Sequence, residues 1–348
     1  MKIDFLLIGG GIAGLSLGYR LKKAGKSVRI FDLPYENQSS RVAAGLFNPI
    51  TGRKMVKTWK ADQLFPEIIP FYQELEQITG KIFLNIQKIY RPFLSVEEQN
   101  EWMGRSADPA FMPYLDEIHN KSQSQSLYDS FGGVMLKNSG WLKISEFLEA
   151  MTGLLREELI FDHFLEEKLS KEGEQWHYKE LEFDALVYCN GLGALNSTFF
   201  KYLPFSPVKG EILEVEQDFN PEYIVNRGVF RVGLGPNLHR VGSTYNNHDL
   251  NTEPTESAKT EILDRLKGLV DEPIICIKSH KTGIRPATRD RKPFLGKHPF
   301  EKSVYIFNGF GAKGVSLVPY FSKLMIGLLL ENIPIESEVD IARYFKYI

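Results

Sequence analysis

The sequence has few cysteines, almost no net charge and no hydrophobic run long enough to span a bilayer. Two cysteines in 348 residues, Cys189 and Cys276, cannot form a disulfide framework, and so low a count is typical of the reducing cytoplasm. The formal net charge is -2, so the basic excess that nucleic-acid-binding proteins usually carry is absent. The seven histidines are scattered and form no zinc-type pattern. We therefore expect a cytoplasmic globular protein without a metal site.

The two most apolar segments are too short for targeting or membrane insertion. Residues 3–8 follow Lys2 but pass straight into three glycines with no segment typical of a cleavage site, so we expect a buried parallel strand. Residues 315–330 contain Lys323 and fall below the ~20 apolar residues that a membrane span requires. We expect a core helix there and no transmembrane segment.

The first 32 residues predict a βαβ unit that binds a dinucleotide. A strand over 4–8 leads into G-x-G-x-x-G at positions 9, 11 and 14, a helix follows, and Asp32 ends the second strand. In such a unit the glycines allow a tight turn, a close approach to pyrophosphate and close helix packing, while the acid accepts hydrogen bonds from ribose hydroxyls. Asp32 disfavours NADP, but the motif leaves NAD, FAD and a purely structural glycine turn open.

Two further strand-and-glycine patterns, over 184–194 and 304–314, indicate one nucleotide-binding domain assembled from distant segments. Between them, short alternating segments predict an antiparallel sheet in a second domain. These segments cover residues 211–216, 229–232, 239–245 and 274–277. Helices are expected over residues 63–79, 144–157 and 256–269.

Six motifs in order resemble the D-amino-acid oxidase and glycine oxidase superfamily of FAD enzymes. They are residues 8–14 with Asp32, 39–45, 207–211, 241–245, 283–286 with Asp290, Pro293 and Gly296, and 308–314 with Pro319. Within that superfamily, residues 241–245 and 309–319 look most like the oxidase part of the tRNA wobble-uridine modification enzyme.

The resemblance implies an α/β fold of mixed α+β character: a Rossmann-like FAD-binding domain with an interleaved antiparallel-sheet substrate domain. It places the discontinuous FAD-binding domain at 1–80, 137–206 and 280–348, and the substrate domain at 81–136 and 207–279. Neither cysteine matches a covalent flavin attachment position, so we expect noncovalent FAD. The implied cofactor contacts are Gly9, Gly11, Ile12, Ala13, Gly14, Asp32, Leu33, Arg41, Ala43, Ala44, Gly45, Asn190, Gly191, Arg285, Gly309, Gly311, Ala312, Lys313, Gly314 and Val315.

Arg285 is the leading substrate residue, because the resemblance places it at the flavin, where a guanidinium can bind a carboxylate bidentately. The alternatives are an ion pair with Asp290, or the same role for Arg289 or Arg291. Lys313 adds a charge near the reduced flavin, or is simply solvated.

Other candidate residues have weaker support. Tyr245 is a tentative pocket residue, and Trp59 is a second aromatic candidate. Arg53, Lys54, Lys57 and Lys60 form a basic run that is either a solvated helix face or a site for an anionic substrate. Lys209 resembles a family position near the domain junction, with no assigned role.

The expected activity is oxidation of the C–N bond of an amino acid or N-substituted glycine, with hydride transfer to FAD and hydrolysis of the imine. The alternatives are demodification of a carboxymethylaminomethyl uridine in tRNA and dehydrogenation of a 2-hydroxy acid. A flavin-binding protein without turnover is the alternative of a different class. The tRNA partner stays open but is less favoured, because the overall charge gives it no support.

Overall fold

The computed structural model describes residues 1–34, 38–52 and 55–347. The strands are β1 (Lys2–Ile8), β2 (Val28–Phe31), β3 (Leu46–Phe47), β4 (Ile50–Thr51), β5 (Val56–Lys57), β6 (Leu84–Ile86), β7 (Ile89–Pro92), β8 (Leu115–His119), β9 (Gly133–Leu136), β10 (Gly140–Leu142), β11 (Leu159–Ile160), β12 (Ser170–Glu172), β13 (Gln175–Tyr178), β14 (Leu181–Tyr188), β15 (Val208–Gln217), β16 (Ile224–Arg227), β17 (Val229–Gly235), β18 (Leu238–Gly242), β19 (Ile274–Arg285), β20 (Phe294–Lys297) and β21 (Val304–Asn308). The α-helices are α1 (Ile12–Lys23), α2 (Ser39–Val42), α3 (Ala61–Thr79), α4 (Val96–Arg105), α5 (Ile144–Leu154), α6 (Glu256–Lys267) and α7 (Gly314–Glu331).

The first of two large sheets contains a parallel centre in the order β11-β2-β1-β14. β14 pairs with β13 in antiparallel fashion along its first half and with β21 in parallel along its second half. β12 and β20 complete the sheet at its edges. Apolar side chains cover both faces of β1 and β14, as expected for buried parallel strands.

The second large sheet has the order β19-β15-β18-β17-β16-β7-β9-β8. Its neighbours pair in antiparallel fashion except β7 and β16, which are parallel at Ile224 opposite Ile89. The expected antiparallel sheet therefore contains one parallel pair, because β7 enters from a distant part of the chain. Smaller sheets join β3, β10 and β6, and β4 with β5. The mixed α/β fold with parallel and antiparallel sheets is confirmed, while the division into domains stays a prediction.

The helices cover these sheets and bury their apolar faces. α1, α3, α5 and α7 share the largest apolar cluster, and α6 packs on the second sheet through Ile262 and Leu266. In the part of the chain that the structure describes, α7 is the one helix long and apolar enough to cross a membrane, by length and composition alone. Its packing against α1 and α3 is that of a core helix.

Several predicted elements differ in extent from those observed. β18 ends at Gly242 rather than 245, and β19 runs from Ile274 to Arg285, well beyond the predicted end at 277. Alternation failed to reveal the full length of β19 because most of its residues are half-buried or exposed. The second glycine turn continues as a 3₁₀-helix, Gly191–Asn196, rather than an α-helix. The motif at 39–45 begins with α2, a single helical turn.

Candidate functional site

The three predicted glycine turns meet at one edge of the first sheet. β1, β14 and β21 are parallel, so their carboxyl ends lie side by side at Ile8, Tyr188 and Asn308. The side-chain amide of Asn308 donates a hydrogen bond to the carbonyl of Gly191 at 2.9 Å, which fixes two of the turns to each other. The segments that sequence analysis assigned to one site are thus neighbours in space.

The first turn forms a cradle that has no room for side chains. Gly9 has φ +102, and a Cβ there would lie 2.6 Å from the Cα of Asn190. A Cβ on Gly14 would lie 1.8 Å from the carbonyl oxygen of Gly9, and one on Gly11 would lie 3.0 Å from Ser40 Oγ. The backbone can therefore come close to a bound group at the start of α1, where the first N–H groups lack intrahelical partners.

Asp32 closes this cradle from the end of β2. The Gly10 N–H donates a hydrogen bond of 2.8 Å to its Oδ1. Burial raises the pKa of the Asp32 carboxyl above its usual value, and the Gly10 N–H and the charge of Arg41 partly oppose that rise. Leu33 and Arg41 are exposed beside it, and Arg41 donates to Gln38 Oε1 at 3.3 Å. The carboxylate lies where an adenosine ribose is expected in such a fold.

α2 and the loop after it connect the cradle to two other sheets, the loop through β10 of a small sheet and α2 through β19 of the second large sheet. Gly45 has φ +78, and a Cβ there would lie 2.0 Å from the Leu142 carbonyl oxygen, so only glycine fits. Its own carbonyl accepts a hydrogen bond of 3.0 Å from Leu142 N–H. Ala43 and Ala44 precede it and are half-buried. Val42 lies 3.1 Å from the Cβ position of Gly283 in β19.

The loop between β21 and α7, residues 309–313, completes the site. Gly311 N–H donates to the Pro286 carbonyl at 3.2 Å, and the Cβ position of Gly314 lies 3.2 Å from the Ile12 side chain. The N-termini of α1 and α7 are therefore adjacent, and Ala312 and Val315 lie at the start of α7. Lys313 is exposed, and desolvation by the surrounding protein together with the charge of Arg291 lowers the pKa of its ammonium.

These features fit an adenine dinucleotide. The glycine cradle, the acid at the end of β2 and the two helix N-termini supply the shape and the donors that a pyrophosphate and a ribose need. Asn190 Oδ1 is buried at the same edge and bonds to none of the described residues, so it is available to a ligand. Among the described residues, no cluster of side chains could hold a metal ion.

Arg285 lies next to this edge at the end of β19. Its Nη1 donates to the Thr244 carbonyl at 3.1 Å, and its Nη2 donates to Ser243 Oγ at 2.9 Å. A Cβ on Gly210 would lie 1.9 Å from Nη2, so that glycine makes room for the guanidinium. Within the described residues no carboxylate pairs with Arg285, and burial lowers the pKa of its guanidinium.

The predicted alternatives to Arg285 are placed differently. Asp290 pairs with Arg343 at 3.0 Å rather than with Arg285, so the ion-pair alternative is wrong. Arg289 and Arg291 are both exposed. The Tyr245 ring centroid lies 4.4 Å from the Arg285 guanidinium, although the residue is 68% exposed.

The described members of the basic run, Lys57 and Lys60, do not form a helix face. Lys57 lies in β5 and pairs with Asp62 at 2.7 Å, and Lys60 precedes α3 and pairs with Glu336 at 2.8 Å. Trp59 stacks on Phe321 of α7 with ring centroids 5.9 Å apart. Arg53 and Lys54 lie outside the described residues. The described members of this run thus take part in structural contacts.

Lys209 is a buried structural residue in β15. It is 1% exposed, and its ammonium donates to Asn251 Oδ1 at 2.8 Å and to the Glu253 carbonyl at 2.7 Å. Only its backbone carbonyl contacts Arg285, at 3.4 Å from Nη1.

With this geometry established, the sequence profile described as "FAD dependent oxidoreductase", the DAO family, matches residues 4–328. The chain belongs to the DAO family. FAD is its cofactor, which confirms the cofactor prediction, and the enzyme class is that of FAD-dependent oxidoreductases. Noncovalent attachment stays a prediction.

Relatives of this DAO-family protein include a tRNA-modifying protein. The tRNA 5-methylaminomethyl-2-thiouridine biosynthesis bifunctional protein MnmC of Legionella pneumophila (strain Corby) is 22% identical over 377 residues. The match covers 95% of this chain and 54% of that protein. The chain thus spans about half the length of this relative, and the resemblance to the wobble-uridine enzyme is confirmed.

Solved structures of similar fold include two oxidases. Glycine oxidase from Geobacillus kaustophilus has a TM-score of 0.79 at 20% identity, covering 99% of this chain and 98% of that chain. Iminodiacetate oxidase from Chelativorans sp. BNC1 has a TM-score of 0.78 at 19% identity, covering 98% of both chains. At these identities the likeness establishes the fold.

Three residues that organise the site were part of the family motifs, but none of them was assigned a role from sequence. Ser40 Oγ accepts a hydrogen bond from Ile12 N–H at 3.3 Å, Asn308 holds the second turn, and Gly210 admits Arg285. Asn308 had a usable signal, because it directly precedes a glycine at the end of a buried strand. For Ser40 and Gly210 the motifs gave the position but not the contact, since their partners are distant in the chain.

Proposed function

We propose that this protein oxidises the C–N bond of an amino acid or N-substituted glycine. The observation that carries the proposal is Arg285, a half-buried cation beside the cofactor loops with no carboxylate partner among the described residues. Burying an unpaired charge is costly, and a substrate carboxylate would offset that cost. The guanidinium can donate two parallel hydrogen bonds to such a group.

The residues around Arg285 would orient the substrate. Thr244 and Ser243 hold the guanidinium from one side, and the Tyr245 ring lies against it. A carboxylate bound there would place the neighbouring amine-bearing carbon at a fixed distance from the loop of Gly311. FAD held by the glycine turns would supply the hydride acceptor for that carbon, and the resulting imine would be hydrolysed by water.

The test is anaerobic titration of the holoprotein with glycine, sarcosine, iminodiacetate and a panel of D- and L-amino acids, followed by flavin absorbance. At least one compound should bleach the flavin. In Arg285→Gln the half-saturating concentration should rise by about 10- to 100-fold, the usual loss for a charge-assisted hydrogen bond. Arg289→Gln, which removes an exposed arginine four residues away, should behave as the wild type. If Arg285→Gln is bleached at the same substrate concentrations as the wild type, Arg285 does not bind the substrate carboxylate.

A second candidate function is oxidation of the side-chain amine of a modified tRNA uridine. It is favoured by the match to MnmC over 95% of this chain. A carboxymethylamino group is an N-substituted glycine, so Arg285 would bind its carboxylate in the same way. Flavin reduction by tRNA carrying that group, with none by free amino acids, would establish this function in place of the first. Absence of reduction by either would remove both.

A further inference from the structure

A polar cavity of about 200 Å³ lies beside the hairpin that β17 and β18 form in the second large sheet. Arg231 and His239, each 1% exposed, contribute to its wall. Tyr223, Gln87 and Asn220 also line it. None of these residues belongs to the cofactor loops or to the surroundings of Arg285.

This cavity lies on the opposite face of the sheet from Arg285. Arg231 lies opposite Val241, which in turn lies opposite Leu213, so all three share the face that packs beneath α6. Gly210, which contacts the Arg285 guanidinium, is three residues before Leu213 on β15. Side chains alternate between faces along a strand, so Gly210 and Leu213 face opposite sides. The cavity is therefore separate from the proposed active site.

Arg231 is a buried cation held only by neutral groups. Its Nε donates to Gln217 Oε1 at 2.9 Å, and its Nη2 donates to the Phe219 carbonyl. The guanidinium also lies 4.9 Å from the Phe219 ring centroid. No carboxylate among residues 1–34, 38–52 and 55–347 pairs with it, and Nη1 donates to none of them. An unpaired buried charge is costly, so the cavity favours an anion.

His239 presents an acceptor beside this cation. Its Nε2 lies 3.0 Å from the Gln217 carbonyl oxygen, to which it donates as the neutral imidazole. Its Nδ1 is buried and bonds to no described residue. A Cβ on Gly233 would lie 3.9 Å from Nδ1, so the missing side chain leaves space beside that nitrogen. A ligand that binds here would supply a hydrogen-bond donor to Nδ1.

We propose that this cavity binds a small oxyanion that carries a hydroxyl next to its charged oxygens. Nη1 of Arg231 donates to the anionic oxygen, and the hydroxyl donates to His239 Nδ1. Both a monoprotonated phosphate group and the carboxylate of a 2-hydroxy acid have this chemistry. A site on this face would bind its ligand independently of the substrate.

Calorimetric titration of the FAD-loaded protein tests the proposal, in a buffer without phosphate or carboxylate. The probes are inorganic phosphate, lactate and propionate, where propionate matches lactate without its hydroxyl. Phosphate or lactate should bind saturably, and propionate should bind more weakly than lactate. Saturation by phosphate alone or by lactate alone identifies which of the two oxyanions the site takes. The flavin absorbance should stay unchanged, because the site lies away from the cofactor.

Two arginine variants separate this site from general charge effects. Arg231→Gln should weaken saturable binding by about tenfold or more, as expected for loss of a charge-assisted hydrogen bond. Arg240→Gln removes the same charge from the neighbouring strand, where Arg240 pairs with Glu214 at 2.8 Å, and should bind as the wild type. Absence of saturable binding of every probe, or equal binding by Arg231→Gln, would overturn the proposal.

A third variant tests the site without changing Arg231, in case Arg231→Gln does not fold. Gly233→Val keeps both Arg231 and His239 but fills space beside Nδ1, and valine is favoured in strands. It should lose saturable binding while retaining FAD. A Gly233→Val protein that binds phosphate or lactate as tightly as the wild type would show that the ligand lies elsewhere.

Discussion

Arg231 is buried and Arg285 is half-buried, and neither has a carboxylate partner among the described residues. The two arginines lie on opposite faces of one sheet. Arg285 was accessible from sequence, because the surrounding motif resembles a family position. Arg231 was not, because a single arginine in an alternating strand predicts only a strand. At the scale of the residue, burial rather than residue type decides which charge needs a ligand.

His239 is expected to make stability depend on pH. Burial, followed by the charge of Arg231, lowers the pKa of its imidazole from 6.5 to about 4, although the Gln217 carbonyl opposes the change. The unfolded chain therefore takes up the proton first as the pH falls. The stability contribution is complete above pH 6.5 and is lost as the pH falls towards 4. At about pH 4.5 the loss amounts to about 2.5 kcal/mol.

Urea unfolding at neutral pH and at about pH 4.5, in phosphate-free buffer, measures this loss. His239→Gln should lose less free energy of unfolding than the wild type, by about 2.5 kcal/mol. His248→Gln, which changes an exposed histidine, is the matched control and should lose as much as the wild type. Equal losses in all three proteins would show that His239 titrates normally.

At the scale of the element, the two faces of β15 make different contacts. On one face Gly210 makes room for Arg285, and on the other Lys209 and Glu211 form a buried polar cluster. Glu211 accepts hydrogen bonds from the N–H and the hydroxyl of Thr255, the residue that caps α6, at 2.8 and 2.9 Å. Its carboxylate therefore fastens the start of α6 to the sheet.

Glu211→Ala should destabilise the protein by about 2 kcal/mol, because it leaves the buried Lys209 with Asp249, at 3.3 Å, as its one remaining carboxylate among the described residues and frees the cap of α6. Glu216→Ala is the matched control on the same strand. Glu216 pairs with Lys278 at the surface, so its loss should cost about 0–1 kcal/mol. Denaturant unfolding compares the two variants. Equal costs would mean that the buried cluster contributes no more than a surface pair.

At the scale of the whole molecule, the cofactor site depends on segments far apart in the chain. Gly14, Gly45, Gly191 and Gly314 come from its beginning, middle and end, yet their turns lie around one sheet edge. A ligand that contacts all of them stabilises the native state as a whole, because it binds only the assembled site.

Removing FAD should therefore lower the thermal unfolding temperature, and adding FAD back should restore it. At a free FAD concentration about 100-fold above Kd, the gain is about 2.7 kcal/mol. Gly14→Ala should lose this response, because its Cβ would lie 1.8 Å from the Gly9 carbonyl oxygen. Gly153→Ala, which meets no atom within 4 Å in α5, should keep it. If added FAD does not raise the unfolding temperature of the apoprotein, the assignment of the FAD site is wrong.

The sequence by itself determined the βαβ unit and its glycines, because those depend on local geometry and on residues close together in the chain. The choice of FAD came from the resemblance of six motifs spread along the chain. It also determined most helices, since their apolar periodicity is continuous. Only the tertiary structure decided that Lys57 and Lys60 are structurally paired, that Asp290 binds Arg343, and that β7 and β16 are parallel. Each of these depends on a partner distant in the chain, and the burial that makes Arg285 and Arg231 stand out arises only when the sheets and helices pack together.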